Sequence, residues 1–278
     1  MFKGRRLLVA TKHKKESVIA PLLQEALGVE CFVAENFDTD TFGTFSGETE
    51  RKDDPITTAR SKCMEAMAMY DCDLGVASEG SFGPHPSLFF LHADEEILIF
   101  IDRKNNLEII VRKLSTETNF GGEQVHTEGQ LASFAERAQF PSHALILRKS
   151  KEDNAEVIKG IQDWSQLKAS FHHLLGKHGT VYVETDMRAM LNPARMKVIG
   201  QAAQKLIEKV SSRCPHCTSP GFGVTGANPG LPCECCRYPT RSTLSYIYQC
   251  QKCAFIKEEK YPHQKTSEDP MYCDMCNP

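Results

Sequence analysis

The sequence predicts an α/β fold: a mixed, largely parallel sheet with flanking helices, followed by a small cysteine-rich C-terminal module. Three observations carry this expectation. Short apolar runs alternate with stretches whose apolar residues recur at helical spacing, the order that builds βαβ units. A pair of runs between 97 and 111 reads as a hairpin, which makes the sheet mixed. After about Ser212 the composition changes abruptly, and nine of the twelve cysteines lie between Cys214 and Cys276. The boundaries that follow are an α/β domain over 1–212 and a second module over 213–278.

Arg6 to Ala10 is a first strand, and Thr11 opens the turn after it. From Lys14 to Leu27 apolar residues recur at Val18, Ile19, Leu22, Leu23, Ala26 and Leu27. That is one face of a helix, and Pro21 inside it predicts a kink or a late start. Val29 to Ala34 completes a strand-helix-strand unit. A polar stretch from Asn36 to Asp53 follows, with Gly43 to Glu48 at its centre. Asp54-Pro55 begins the next helix, Asp as the cap and Pro in the first turn. It runs to about Tyr70, with Ile56, Ala59, Cys63, Ala66, Met67 and Tyr70 inward and Arg60 and Lys62 off that stripe.

Leu74 to Ala77 is a buried strand that stops on Glu79, with Gly80, Gly83, Pro84 and Pro86 making the turn beyond. Ile97 to Ile101 and Leu107 to Val111 flank the polar turn Asp102 to Asn106 and form the hairpin. Glu128 to Ala138 is a helix, Ala144 to Leu147 a strand, and Asp163 to Leu175 a helix. Thr180 to Val183 is a strand, and Pro193 to Ser211 a long helix.

The formal net charge of -3 argues against a general attraction to nucleic acid or anionic membrane. No apolar run approaches the ~20 residues needed to span a bilayer. The basic start, Met1 to Arg6, is followed only by Leu7 to Ala10, too short for the apolar region of a signal peptide. The expectation is a soluble, cytoplasmic protein without a membrane partner.

The clustered cysteines form four pairs: Cys214 with Cys217, Cys233 with Cys236, Cys250 with Cys253, and Cys273 with Cys276. Two residues between thiols let both sulfurs reach one ion from a single tight turn, and two such pairs complete a tetrahedral four-thiolate zinc site. Four pairs supply two structural zinc ions. In a chain without export signals, metal is expected over disulfides. Pairing in sequence order would join Cys214, Cys217, Cys233 and Cys236 at one ion. A crossed arrangement would use alternate pairs, and spacing leaves both open. Cys235 is surplus to either scheme, and His216 and His263 read as ordinary loop histidines.

The tail resembles zinc ribbons and rubredoxin-like knuckles, here a double zinc-knuckle module. With little apolar material in ~65 residues, zinc would supply much of its folding free energy. Such modules contact protein or nucleic acid, or brace a neighbour. From Cys214 on there are six Lys/Arg against six Asp/Glu, a balance that favours protein contact over phosphate contact. Tyr246, Tyr248, Phe255 and Tyr261 could stack on bases, but a small metal-centred core needs such residues too.

Glu79 draws attention because ligands of α/β sheets gather at the carboxyl ends of strands. Three motifs stand in order: Val9-Ala10-Thr11-Lys12-His13-Lys14-Lys15-Glu16, then Gly43 to Glu48 with Thr58-Ala59-Arg60-Ser61-Lys62, then Val76 to Gly80. On these, the N-terminal part resembles the superfamily of house-cleaning nucleoside triphosphate pyrophosphatases, which includes the inosine/xanthosine triphosphatases and the Maf proteins. It departs from them where His13 replaces the usual Asn and where Ser142-His143-Ala144 only echoes a Ser-His-Arg signature. The whole chain is also similar to an uncharacterised bacterial family that joins such an α/β region to paired-cysteine knuckles, a likeness that implies no activity.

The first resemblance implies a nucleotide-binding region within 1–150. Thr11, Lys12, Lys14 and Lys15 would meet phosphate at a helix start. Glu79 and Glu48 would share a Mg or Mn ion, with Glu50 and Asp53 as lesser candidates, and Lys62 would stabilise the transition state. A second polar cluster, Glu184, Thr185, Asp186, Arg188, Asn192 and Arg195, reads first as a capping and ion-pair network. His85 and His92 carry no assignment. The expectation is a metal-dependent hydrolase acting on a nucleotide or related phosphate compound, in the manner of a nucleoside triphosphate pyrophosphohydrolase, with a structural zinc module. The alternative is a non-enzymatic zinc-binding protein that contacts protein or nucleic acid.

Overall fold

The computed structural model describes residues 1–35, 37 and 53–278. The chain divides into two compact units, Met1–Ile207 and Glu208–Pro278. The larger unit contains two sheets. In the first, β1 (Arg6–Ala10), β2 (Glu30–Val33), β3 (Leu74–Pro84), β4 (His92–Asp102) and β5 (Leu107–Ser115) lie in the order β2-β1-β3-β4-β5. Helix α1 (Glu16–Leu27) follows β1 and holds Pro21 within it, ending on Gly28 in the left-handed region at φ 65°. Helix α2 (Pro55–Met69) is capped by the Asp54 side chain, which accepts from the backbone N–H of Ile56 and Thr57.

β1 pairs in parallel with β2 and β3, whereas β4 is antiparallel to both β3 and β5. The sheet is mixed, and its parallel part is confined to β2-β1-β3. The connection 85–91 is too short for a crossover, so β4 must return antiparallel. Two boundaries are corrected: β4 begins at His92 rather than at Ile97, and the end of β3 moves. β3 does not stop at Glu79 but runs to Pro84, its ladder with β4 continuing from Leu74 opposite Asp102 to Pro84 opposite His92. Gly80 and Gly83 therefore sit within the ladder rather than in a turn. On one face of this sheet Cys63, Ala66 and Met67 of α2 pack against Leu8, Ala10, Ala77 and Ile99.

The second sheet has the order β6-β9-β7-β8 and is antiparallel throughout. Its strands are β6 (Gly122–Val125), β7 (Leu145–Arg148), β8 (Val157–Ile161) and β9 (Val181–Thr185). Helix α3 (Glu128–Arg137) begins with a capping box between Thr127 and Gln130, and α4 (Trp164–His178) with the Asp163 cap. Leu131, Phe134, Phe171 and Leu174 from these helices cover Val125, Leu145, Leu147 and Val183. Strands β6 and β8 escape the sequence reading because they are short and carry Gly, Lys, Glu and Gln. Helix α5 (Pro193–Ser211) then begins beside the first sheet.

In the smaller unit β10 (Gly223–Pro229), β11 (Thr243–Gln249) and β12 (Ile256–Lys260) form an antiparallel sheet between cysteine turns. Its one apolar cluster is Cys214, Phe222 and Cys250, flanked by Tyr248 and Phe255. Among the described residues no helix is long and apolar enough to cross a membrane.

Candidate active site and cysteine centres

The β1–β3 pairing ends at Ala10 opposite Ala77. The turn after β1 brings Lys15 back onto β3 just beyond that point. Lys15 Nζ donates to Ser78 Oγ at 3.1 Å and lies 4.0 Å from Glu96 Oε2. Strand alternation puts Ser78 and Gly80 on one face of β3 and Glu79 on the other. In register, Gly80 stands opposite Glu96 and Phe82 opposite Asp94, so both β4 acids share the Ser78 face. On the opposite face Lys62 reaches Glu79 in a buried ion pair.

Arg195, in the first turn of α5, arrives on the Ser78 face. Its Nε donates to Glu96 Oε1 at 2.7 Å, its Nη1 to the Met187 carbonyl, and its guanidinium carbon stands 5.0 Å from the centre of the Phe82 ring. A glycine is required at position 80 for this approach. A Cβ there would meet Arg195 Nη2 at 2.5 Å and Glu96 Oε1 at 2.6 Å.

Six ionisable side chains are thus buried close together: Lys15, Lys62, Glu79, Asp94, Glu96 and Arg195. Burial lowers Lys15 to about 8, opposed by Glu96 and reinforced by Arg195. Burial first, and then Glu96, raise the Asp94 carboxyl to about 8, against the pull of Arg195 and Lys15. Asp94 is 0 % exposed, and neither of its oxygens accepts a hydrogen bond. Glu96 Oε2 and the buried Thr11 hydroxyl are likewise unmatched.

The residues expected at the site separate into two groups. Thr11, Lys12, His13, Lys14 and Glu16 line a hollow of about 430 Å³ together with Val33, Ala34, Glu35 and Phe37. His13 and Lys14 are both in the left-handed region, at φ 64° and 60°, a backbone strain of the kind found at ligand clamps. Lys15, by contrast, turns inward to Ser78. Glu79 and Lys62 do not line that hollow; they are 4 % and 6 % exposed and close on each other. Glu48 and Glu50, with the Gly43 to Glu48 segment, lie outside the described residues. Asp53 is exposed, just before the start of α2.

The second polar cluster is mainly the capping and ion-pair network expected. Asn192 Oδ1 accepts from the Arg195 backbone N–H at 3.0 Å, and Asn192 Nδ2 donates to Asn119 Oδ1 at 2.9 Å. Asp186 holds Arg188 and accepts from the Gly160 N–H, and Arg148 pairs with Glu184. Thr185 Oγ1 accepts from the Gly121 N–H. The Arg195 side chain alone leaves this network for the first sheet. His85 Nδ1 accepts from the backbone N–H of Ser87 and Leu88, and His92 packs edge-on to Phe120.

In the smaller unit the cysteines resolve into two tetrads, Cys214/Cys217/Cys250/Cys253 and Cys233/Cys236/Cys273/Cys276. The arrangement is crossed. Sulfurs of different pairs approach to 3.7 Å (Cys214–Cys253), 3.6 Å (Cys217–Cys250), 3.9 Å (Cys233–Cys276) and 3.6 Å (Cys236–Cys273). A tetrahedron with ~2.3 Å zinc–sulfur bonds has edges of about 3.8 Å, so each tetrad fits one structural zinc ion.

The local cause repeats at every pair. The residue after the second cysteine donates its N–H to the carbonyl of the first: Thr218 to Cys214, Arg237 to Cys233, Ala254 to Cys250 and Asn277 to Cys273, at 2.9–3.0 Å. His216 stacks on Phe255 and His263 bonds Tyr246, so neither replaces a thiolate. Cys235 is exposed and outside both tetrads. Tyr248 and Phe255 flank the first tetrad as core.

Sequence reading missed Ser78, Asp94 and Glu96. A signal was present for the two acids: they keep the same alternation as Leu98 and Phe100, an inward phase for charge in an apolar strand. A family model described as a domain of unknown function (DUF6671) matches residues 62–278. That span includes Lys62, Ser78, Glu79, Asp94, Glu96, Arg195 and both tetrads, while Thr11 to Lys15 precede it. No curated protein and no solved structure matches the chain.

Proposed function

The chain belongs to the DUF6671 family, and we propose that its α/β unit is a metal-dependent hydrolase of a nucleotide or related phosphate compound, of the pyrophosphohydrolase kind. The observation that carries this reading is the burial of three carboxylates and three cations in the same unit as a hollow that carries Lys12 and Lys14 with Glu16 and Glu35. Burying charge costs several kcal/mol per ion even when paired, and perturbed, buried ionisable groups cluster where chemistry is done.

In this reading Lys12 and Lys14 neutralise phosphate charge at the hollow, and the Thr11 hydroxyl supplies a hydrogen bond to an oxygen there. Glu79, once released from Lys62, accepts a proton from the attacking water. Lys62 then turns to the charge that develops on the departing phosphate. A bound Mg or Mn ion would polarise the phosphoryl group.

The test is a panel of nucleoside triphosphates and related phosphate compounds, offered with Mg²⁺ or Mn²⁺ to zinc-replete protein. Phosphate or pyrophosphate release from at least one is expected, with KM raised about tenfold in Lys12→Ala and likewise in Lys14→Ala, each as for one lost charge-assisted contact. Release from none contradicts the proposal. One observation favours the second reading, a binding protein without turnover: Lys62 closes on Glu79 away from the hollow. In that case the same panel gives binding without product.

A further inference from the structure

We propose that Asp94 and Glu96 hold one hard divalent cation, Mg²⁺ or Mn²⁺, on the face of β4 opposite the Glu79 side. This deepens the hydrolase reading and rests on it for what the cation would do, while its structural evidence is separate. Asp94 and Glu96 are two residues apart on one strand, so their carboxyl groups project from the same face. Both are fully buried, and three of their four oxygens, Asp94 Oδ1 and Oδ2 and Glu96 Oε2, accept no hydrogen bond.

Other buried acids of this unit are treated differently. Asp102 is held by two Arg5 nitrogens and by Asn105, Asp186 by Arg188 and the Gly160 N–H, and Glu79 by Lys62. The hydrogen bonds of Arg195 described above go to Glu96 Oε1 and the Met187 carbonyl, and that of Lys15 to Ser78. A buried carboxyl without a hydrogen bond is costly; Lys15 and Arg195 act on Asp94 through space, but neither of its oxygens has a hydrogen-bond partner, which leaves both open as ligand atoms.

The donor set selects the ion. All the open ligand atoms are carboxylate oxygens, which suits Mg²⁺ or Mn²⁺ over softer metals. Two carboxylates are too few for an all-protein cage. They suit an ion that keeps several waters or takes its remaining ligands from phosphate. Lys15 and Arg195 beside the acids repel a bare cation but attract the phosphate oxygens that would accompany it. The site therefore belongs to a cation delivered with, or completed by, a phosphate-bearing compound. Metal-ligand duty passes from Glu79, which Lys62 already neutralises, to the β4 pair.

The experiment is a Mn²⁺ titration of the zinc-replete full chain, followed by electron paramagnetic resonance, with and without inorganic pyrophosphate and in the absence of any nucleotide. One Mn²⁺ per chain beyond the zinc is expected, bound more tightly with pyrophosphate. Asp94→Asn and Glu96→Gln should weaken it at least tenfold, and Glu79→Gln should leave it unchanged. In wild type, which does not depend on a variant folding, Mn²⁺ should broaden the amide resonances of 80–82 and 94–96 first. No bound Mn²⁺ in wild type, equal binding in the Asp94 and Glu96 variants, or broadening centred elsewhere overturns the proposal. No turnover enters these readouts, so absence of hydrolysis leaves the cation site standing, and its failure leaves the hydrolase reading to be judged by product release.

Discussion

Gly80 shows how one residue sets the geometry of the buried charges. Arg195 and Glu96 are both fully buried and cannot swing aside, so Gly80→Ala should cost about 1–3 kcal/mol, the usual range for overpacking. Urea denaturation measures this, and a difference under ~0.5 kcal/mol, the range of a neutral surface change, would show that the approach of Arg195 is not constrained there. Asp102 allows a pH test at the same scale. Burial alone would raise its carboxyl, but hydrogen bonds from Arg5 and Asn105 outweigh it and hold it below 3.8. A depressed folded-state value means the stabilisation is complete above the unfolded value and is lost as pH falls through the folded one. Asp102→Asn should therefore lose about 2 kcal/mol at pH 7, as for hydrogen bonds to a charged group, with the gap narrowing below pH 4. A gap independent of pH would contradict the role given to the charge.

At the scale of elements, α2 is the clearest case of local sequence deciding structure. Asp54 and Pro55 start it as its cap and first-turn residue, and Asp54→Ala should cost ~1 kcal/mol, readable as a lower Tm; an unchanged Tm would make the cap incidental. Its inward face is legible for Ala59, Cys63, Ala66 and Met67, yet Lys62, which lies off that stripe, is buried. Thr58, Lys62 and Ala66 are spaced by four, so a second buried row was present in the spacing. Two glycines and two prolines make the end of β3 look like a turn in sequence. They lie in and just beyond a ladder with β4, which begins at His92, ahead of the apolar run from Ile97. Asp94 and Glu96 lie in that polar leading part of β4, where no apolar run marks a strand. Arg195 was visible as a candidate, but its partner 99 positions away is a tertiary fact that no local pattern carries.

At the scale of the whole chain, the cysteine spacing foretold two four-thiolate sites but left the pairing open. The structure closes it as crossed, so each ion's ligands bracket a pair belonging to the other. Filling one site thereby shortens the loop that the other must close. Metal analysis should find about two zinc ions per chain. Cys217→Ser should lower that number and also speed chelator removal of zinc from the intact tetrad. Unchanged release from the second tetrad would show that the two sites act independently.

For the larger unit, the central proposal is that the buried charges perform hydrolysis rather than merely hold two sheets together. The most direct measurement is product release by zinc-replete protein with Mn²⁺, wild type beside Glu79→Gln, together with binding of the same compound. If the charges perform hydrolysis, kcat should be lower by at least ~100-fold in the variant, within the range for losing a general base, with binding retained. Equal turnover in the two proteins, or none in wild type, would contradict it.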